Sequence, residues 1–484
     1  MSSAASASPA PARRSKIVIG VLASCGIAVS LMQTMVVPLL PEFPRLLDTT
    51  RSNAAWLVTA TLVAGAVCSP VLGRLGDMYG KRRMLLVALA MMSVGSAIGA
   101  VSDEFIAVLV GRVLQGAAIG VVPLGISIMR DELPEDRMGS GIALMSATLG
   151  IGGAVGLPVT GLVAENLNWH WLFAGATLFG IGEILLVRLV VPESSLRSGG
   201  RFDVLGALGL SAALTCLLLA ISKGNDWGWT SGVILGLLAA AAVLFVLWGC
   251  YELRVVAPLV DLRVSAHPTV LLTNIASVLI GLAMFAGFMV GAQIMQAPED
   301  TGYGFGMSLV VTGLVLLPIG GAMGVFSPVS ARISRRRGPR ATLIMGGTVL
   351  TLGNLAGSML HDPLPLVVFN LTVVAIGGAL CYGALPTLIM QAVPPTETAA
   401  ANSLNSLARS LGTSSCSAIV VALTTGSVVQ ISGVNYPSVL AYSWVFTVAG
   451  GAALLAAVIA AATPAARRYM PVTAQVATAI GQSR

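Results

Sequence analysis

The sequence predicts an all-α membrane protein that crosses the bilayer many times, and three observations point there. Of 484 residues, 56% are hydrophobic and only 10% charged, against about 45–50% and about 25% in soluble domains. The apolar residues fall into fourteen runs of the ~20-residue length that a hydrocarbon core of ~30 Å requires. The 27 Lys and Arg collect in every second interval between those runs, the pattern that sets the orientation of membrane helices. A disordered chain and a small disulfide scaffold are excluded by the same composition. So is a nucleic-acid binder, because the net charge of +7 resides in short loops rather than on one basic face.

In order, the runs cover 17–40, 54–72, 84–101, 105–129, 141–163 and 171–191, then 204–222 and 231–251, then 269–293, 307–330, 341–359, 365–390, 404–426 and 439–462. The first run, which follows an Ala-, Ser- and Pro-rich stretch, is too long for a secretion signal and lacks a small-residue cleavage site before the next charged loop, so it reads as a span. The fourth run carries an Arg and the sixth a Glu, both expensive in hydrocarbon. The fifth is rich in Gly, with Gly150, Gly152, Gly153, Gly156 and Gly161 around Pro158, a composition that predicts a bent, closely packed helix. Fifty-five Gly and 19 Met over the chain suit helices that approach closely in lipid.

Fourteen spans put both ends of the chain on one side. Twenty-two of the 27 basic residues lie on that side, while Arg45, Arg51 and Lys223 lie opposite and Arg112 and Arg409 fall inside spans. The positive-inside rule makes the basic side cytoplasmic and implies a multi-pass protein of the cell inner (plasma) membrane. Trp56, Trp169, Trp171, Trp227, Trp229 and Trp444 fall at the outer interface and Trp248 at the inner one. The six cysteines all lie within spans without metal-ligand spacing, and read as packing residues. His170, His267 and His361 lie in or beside loops with no ligand pattern, and no phosphate-binding loop is present. No metal, cofactor or catalytic constellation is therefore expected.

The chain also contains a repeat. Ser69-Pro-Val-Leu-Gly-Arg-Leu-Gly-Asp-Met-Tyr-Gly-Lys-Arg82 aligns without a gap on Ser327-Pro-Val-Ser-Ala-Arg-Ile-Ser-Arg-Arg-Arg-Gly-Pro-Arg340, with the same residue at Ser, Pro, Val, Arg, Gly and Arg positions. Each copy follows the second span of a six-span block. The organisation is thus a disordered cytoplasmic tail (1–16), a six-helix bundle (17–191), a linker with two extra spans (192–268), a second six-helix bundle (269–462) and a cytoplasmic tail (463–484).

Gly73-Arg-Leu-Gly-Asp77-Met-Tyr-Gly80-Lys-Arg-Arg83 resembles the loop signature of the major facilitator superfamily. Leu109-Val-Gly-Arg112-Val-Leu-Gln115-Gly116 resembles its fourth-span arginine motif. With the two extra central spans, the resemblance is to the fourteen-span drug:proton antiporter branch. Trp169-His-Trp171-Leu-Phe173, Leu316-Leu-Pro318 and Asn405-Ser-Leu-Ala-Arg409-Ser-Leu-Gly412 fit it too. The branch's usual first-span Asp is replaced by Met32, and Val37 stands for its Asn. The fifth-span antiporter motif keeps Pro158 and Gly161 beside Gly156 but lacks two glycines.

The resemblance implies that Asp77, in a loop that Gly73 and Gly80 make tight and Arg83 closes, latches the outward-facing state by docking at the N-terminal end of the penultimate span. Arg409 is placed within about two turns of that end. The second copy has Arg335 where the first has Asp77, and its polybasic stretch 332–340 reads as an orientation signal. The resemblance also ties Arg112 to proton transfer; the alternative is a packing clamp on neighbouring carbonyls. Glu183 is the carboxylate placed deepest in a span. It is either a proton carrier, coupled to Arg112, or a structural Glu whose head reaches the inner interface near Arg188. Gly156, Pro158 and Gly161 form either a seal favouring export or ordinary close packing.

A substrate cavity is expected between the two bundles, lined by Gln33, Thr34, Gln115, Asn274, Met284, Phe285, Phe288, Asn370 and Tyr382. Such a lining suits a bulky hydrophobic compound. The leading expectation is a monomeric, proton-driven exporter of hydrophobic small molecules such as a drug or secondary metabolite, with protons and lipid as its other partners. An importer or uniporter on the same fold, or a non-transporting receptor, are the alternatives.

Overall fold

The computed structural model describes residues 12–464 apart from 37, 41, 195, 360–362 and 432–433. Val37, His361, most of both expected tails, and Arg467, Arg468 and Arg484 lie outside the described residues. Among the described residues, fourteen long helices follow one another, as the all-α class predicted. They are α1 (Ala12–Thr34), α2 (Arg51–Tyr79), α3 (Lys81–Val101), α4 (Phe105–Glu132), α5 (Glu135–Asn166), α6 (His170–Val190), α7 (Val204–Trp227) and α8 (Gly232–Glu252). After these come α9 (Pro268–Gln296), α10 (Leu309–Arg337), α11 (Pro339–Gly357), α12 (Leu364–Ala392), α13 (Thr398–Gly426) and α14 (Val439–Ala462). Thirteen are long and apolar enough to cross a membrane. The other, α11, is 19 residues long and packs between α12 and α14.

Sequence features explain where the helices stop. Helix α1 begins at Ala12, inside the stretch expected to be a tail, and ends at Thr34 instead of continuing to residue 40. Pro38 follows in a turn, and a proline ring there cannot continue a helix. Within α4, a 3-10 turn at Ala117–Gly120 joins Phe105–Gly116 to Val121–Glu132. Pro123 lies just beyond it and has no N–H to give the preceding turn. The repeat shows as two matching corners. Gly80 (φ +122°) ends α2 and starts α3, and Gly338 (φ +86°) does the same for α10 and α11. A side chain at either would be strained.

One element was not anticipated. A two-stranded antiparallel hairpin, β1 (Val428–Ile431) with β2 (Val434–Pro437), joins α13 to α14, pairing Val428 with Pro437. The Tyr303 hydroxyl donates to the Pro437 carbonyl at 2.6 Å, tying the hairpin to the α9–α10 connection.

Hydrophobic packing divides into three principal cores. The first joins residues of α1 through α6, among them Leu22, Leu85, Met129, Met145 and Phe173. The second joins α9 through α14, among them Ile280, Leu316, Leu350, Leu385 and Tyr442, and also takes Ala147 and Leu157 from α5. The third is built where α7 and the segment after α8 lie on α2 and α13, with Ala66, Leu210, Leu214, Val260 and Leu407. Helix α7 therefore covers the line along which α2 meets α13, and α8 packs on the outside of α7.

Helix α5 bridges the two sets of six through its small residues. Toward α1, Gly152 abuts Ser30 and Gly156 abuts Thr34; toward α10, Gly161 abuts Val310 and Pro158 abuts Gly313. A Cβ at Gly313 would come within 2.9 Å of Pro158 Cα, and backbone cannot move aside as a flexible side-chain end can. Gly313→Val should therefore lower the stability of the purified protein by about 1–3 kcal/mol, the usual cost of overpacking. Gly321→Val, with open space around its Cβ, should change it by less than about 0.5 kcal/mol. Thermal unfolding in detergent compares the two, and equal effects would show that α5 and α10 are not held by backbone contact.

Candidate functional site

The basic loops gather at one end of the helices, and there the two halves of the chain meet through buried charges. Asp77, in the last turn of α2, is fully buried. Its carboxylate accepts hydrogen bonds from the backbone N–H groups of Ala399 (3.2 Å) and Ala400 (2.8 Å), in the first turn of α13. Helix N-termini have free donors and partial positive charge, so this acid both caps α13 and complements its dipole. Charge-assisted bonds of this kind contribute about 1.5–3 kcal/mol each.

Lys81, buried at the start of α3, completes the arrangement. Its ammonium lies 2.6 Å from Asp131 Oδ2 and 3.7 Å from Asp77 Oδ1, and it donates to the Thr398 hydroxyl at 3.1 Å. Ser194 also donates to Asp131 Oδ2, at 2.6 Å. Two carboxylates thus share one ammonium, and Arg130 and the α13 N-terminus supply further positive potential. Gly73 is needed because a Cβ there would strike Ser403 and come within 2.8 Å of the Ala399 carbonyl. At Gly80 the obstacle is the Glu193 carboxylate.

Two latch expectations are corrected. Arg83 is 65% exposed and reaches only Glu193, at 3.8 Å; surface pairs of this kind contribute about 0–1 kcal/mol. Arg409 takes no part in the latch. Helix α13 starts at Thr398 rather than near residue 404, because its polar first turns fall outside the apolar window. Arg409 is therefore eleven positions inside the helix, where it lies over the Tyr382 ring at 5.0 Å and donates to Ser406 at 3.2 Å. Lys81, Asp131, Thr398 and Ser194 were not singled out in its place. Lys81 lay within the loop signature, but nothing local in the sequence relates the other three to Asp77.

At the repeat's second copy, Arg335 donates to the Asp136 backbone carbonyl at 2.6 Å, in the first turn of α5. An arginine thus meets a helix start in the position where the first copy sets an acid. The stretch 332–340 makes a contact between the halves as well as carrying charge.

Deeper along α4, Arg112 is almost wholly buried. Its Nε donates to the Leu57 carbonyl at 3.0 Å and its Nη1 to Gln115 Oε1 at 2.6 Å and the Met32 carbonyl at 3.4 Å. Gln115 in turn donates to Ser96 at 2.8 Å. The arginine ties α4 to α1 and α2, and Gln115 belongs to this buried clamp rather than to a cavity wall. Glu183 is also buried, accepting from the Ser24 hydroxyl and the Cys25 thiol of α1, both at 3.1 Å. It neither reaches toward Arg188 nor pairs with Arg112: Met32 and Cys25 are seven residues apart on α1, or ~10 Å. Cys25 is thus a hydrogen-bond donor as well as a packing residue.

The expected cavity residues divide. Gln33, Thr34, Asn274, Phe285 and Phe288 are partly exposed, with Asn274 accepting from Asn405 at 2.9 Å. Tyr382 is buried beneath Arg409, and Asn370 is buried beside Gly357 inside the second core, so neither lines an open cavity. Met284 packs on Gly378. Outside this site, Lys223 lies within α7, not in a loop. It is buried, paired with Asp226 at 3.0 Å and set 5.4 Å from the centre of the Trp56 ring. Trp169 is enclosed by Phe43 and Phe173 rather than facing an interface. His170 does have a carboxylate neighbour, Asp103 at 3.3 Å, though no three-residue metal cluster occurs among the described residues.

The comparison with known families agrees with the resemblance that the loop sequence carries. The family model of the Major Facilitator Superfamily matches residues 22–415, with a second match over 279–478. This chain belongs to the major facilitator superfamily. Among sequence relatives it is similar to the tetracenomycin C resistance and export protein of Streptomyces glaucescens, at 29% identity over 68% of this chain and 60% of that one. It is also similar to the multidrug resistance protein Stp of Mycobacterium tuberculosis, at 27% identity over 77% and 69%, and to the MFS-type transporter YcnB of Bacillus subtilis, at 24% over 82% and 84%. Among solved structures, the human organic anion transporter MFSD10 (TM-score 0.64, 17% identity, 92% of this chain and 99% of that one) shares the fold. So does the proton:xylose symporter XylE (TM-score 0.63, 12% identity, 92% and 95%). The family and fold are those of multi-pass membrane transporters, not of enzymes.

The latch makes a contrast between two cations in the first turn of α3. Lys81→Met would remove the only cation in direct contact with buried Asp77 and Asp131 among the described residues, a change that costs about 3–5 kcal/mol. Arg83→Ala should cost less than about 1 kcal/mol. Thermal unfolding of both variants checks this; a Lys81→Met protein as stable as wild type would remove the buried network from the account of the latch.

Proposed function

We propose that this major facilitator transporter is a proton-driven exporter of hydrophobic small molecules, working by alternating access between its two six-helix bundles. The observation that carries the reading is the cap that Asp77 places on α13. It joins the halves through a few strong polar contacts at one end of the seam. Such contacts are made or lost together when the bundles rock, as a two-state carrier requires. Relatives named for tetracenomycin export and multidrug resistance support the direction of transport and the drug or secondary-metabolite class. The fourteen long helices agree with the fourteen-span drug:proton antiporter branch.

In this reading the basic end is cytoplasmic, both termini with it, and the protein acts as a monomer in the plasma membrane. The structure then represents a carrier closed toward the cytoplasm. A tag inserted at Gly338 should be labelled only after the membrane is permeabilised, and labelling of intact cells would reverse the orientation.

Coupling is assigned to Glu183. With Met32 where an acid could stand, this carboxylate is buried and, among the described residues, is hydrogen-bonded by a hydroxyl and a thiol, with no Lys or Arg within ion-pair distance of it. Burial without a counter-charge favours the protonated form, and access from the other side would release the proton. Arg112 positions α1, on which Ser24 and Cys25 stand, and so acts on the proton site through the helix. Thr34, Phe285 and Phe288 supply an apolar surface for substrate, with Gln33 and Asn274 as polar anchors.

Proteoliposomes with an imposed pH gradient test the reading. Wild type should move a lipophilic substrate against its concentration, and Glu183→Gln should bind that substrate with unchanged affinity but lose gradient-driven transport. Arg112→Lys, which loses the planar fork, should slow the same step. Unimpaired export by Glu183→Gln would make Glu183 structural. Substrate accumulation that rises with expression would mean import, and no change would mean a receptor.

A further inference from the structure

Two carboxylates outside the proposed transport machinery meet where the pair of extra helices reaches the basic end. Asp203 is the N-cap of α7 and Glu252 the last residue of α8, and they are 9% and 2% exposed. Each has one oxygen fully employed. Asp203 Oδ1 accepts from Gly206 N–H at 2.8 Å and from the Tyr251 hydroxyl at 3.0 Å, and Glu252 Oε1 accepts from Val260 N–H at 2.7 Å. Their other oxygens, Asp203 Oδ2 and Glu252 Oε2, are buried with no donor. Both converge over Gly206, where a Cβ would lie 2.7 Å from Glu252 Oε2 and strike Asp203 Oδ2 as well. The two oxygens thus lie within 2.7 Å of one and the same point and face each other across it. One turn back on α8, against Gly209, the Trp248 indole N–H is a second buried polar group without a partner on the same seam.

No Lys or Arg comes within 4.0 Å of either acid among the described residues. Arg201 and Arg254, each two residues from one of the acids, are exposed and form no ion pair with them among the described residues, and other charged groups nearby are engaged elsewhere. Arg263 donates to the Leu253 carbonyl, Asp261 accepts from Arg263 N–H and Val264 N–H, and Arg74 of α2 faces Glu397 ahead of α13. Two acceptor-only oxygens turned toward each other in a buried site are satisfied when one carboxyl keeps its proton and donates it to the other.

We propose that Asp203 and Glu252 hold one proton between them, making the foot of the α7–α8 hairpin a proton-binding site separate from Glu183. The acid O–H of one residue is the donor and the facing carboxylate oxygen of the other the acceptor. Loss of the proton to water leaves two negative charges facing each other, and they part. Parting withdraws Glu252 from Val260 N–H or Asp203 from the α7 cap. The consequence reaches beyond the hairpin, because Leu259 and Val260 share a core with Leu407 of α13. They also wall a cavity of about 440 Å³ whose opposite side includes Ala400, one of the two residues whose N–H groups Asp77 accepts. Proton occupancy here therefore sets how firmly the extra helices brace the latched end.

Hydrogen exchange of the full-length protein in nanodiscs, read at residues 256–261 and corrected for the intrinsic pH dependence of exchange, tests the proposal without a transport assay. In wild type, protection should fall by about tenfold or more as pH rises through loss of the shared proton. Glu252→Gln keeps a carbonyl for Val260 and offers an N–H to Asp203, so it should hold the protected level at every pH. A Glu252→Gln protein that retained the wild-type pH dependence would overturn the proposal. If that variant does not fold, Asp203→Asn decides in the same way. Wild-type protection that does not change with pH overturns it without any variant.

Discussion

Hydrocarbon cannot hydrogen-bond to a peptide group, and every other feature of this protein follows from that constraint. It makes helices the form of each spanning segment and requires any polar side chain inside to find its partner within the protein. It also removes the ordinary hydrophobic drive between helices, so close approach must come from small residues. Helix α5 shows the result. Its glycines admit Ser30 and Thr34 of α1 on one side and α10 on the other, and one helix thereby belongs to two packing surfaces.

The same constraint sorts the buried charges by role. Arg112 is satisfied by carbonyls and an amide on three helices, an arrangement with enough partners to be permanent. Lys81 is satisfied by two carboxylates and a hydroxyl drawn from both halves of the chain. Separating the halves takes away Thr398 and the α13 donors while leaving the carboxylates in place, so the network is stable only when the end is closed. Glu183 has the weakest set of partners, a hydroxyl and a thiol, and is the group for which protonation is the simplest means of staying buried. A permanent clamp, a conditional latch and an ionisable site thus differ by their partners rather than by residue type.

The extra helices fit this picture as a brace. Helix α7 lies over the junction of α2 and α13, the two helices that the latch joins, with α8 on its outside, and the pair reaches the basic end through a connection whose backbone is held by a carboxylate. Under the proposed alternating access, a rocking of the bundles would carry this pair or slide past it. Their packing is mainly aliphatic, through Leu210, Leu214 and Leu218, which resists separation but permits sliding better than interlocked polar contacts do.

Much of the architecture was legible in the sequence because hydrophobic length and basic-loop placement are local properties. So was the repeat, whose two glycines turn equivalent corners. Asp77 was legible through the loop signature around it, and Arg112 and Glu183 because a charge in an apolar run stands out. Partners were not legible. Which side chain meets Asp77, whether Arg409 faces the latch or Tyr382, and whether Gln115 lines a cavity or steadies an arginine all depend on helix rotation and on where α13 begins. The polar turns that start α13 carry no apolar signal, and their position decided the fate of Arg409. Composition and periodicity determined that the chain forms membrane helices, and in what order. Only the packing of helices far apart in sequence decided which buried charges face one another, because a buried charge is satisfied by contacts in space that spacing along the chain does not encode.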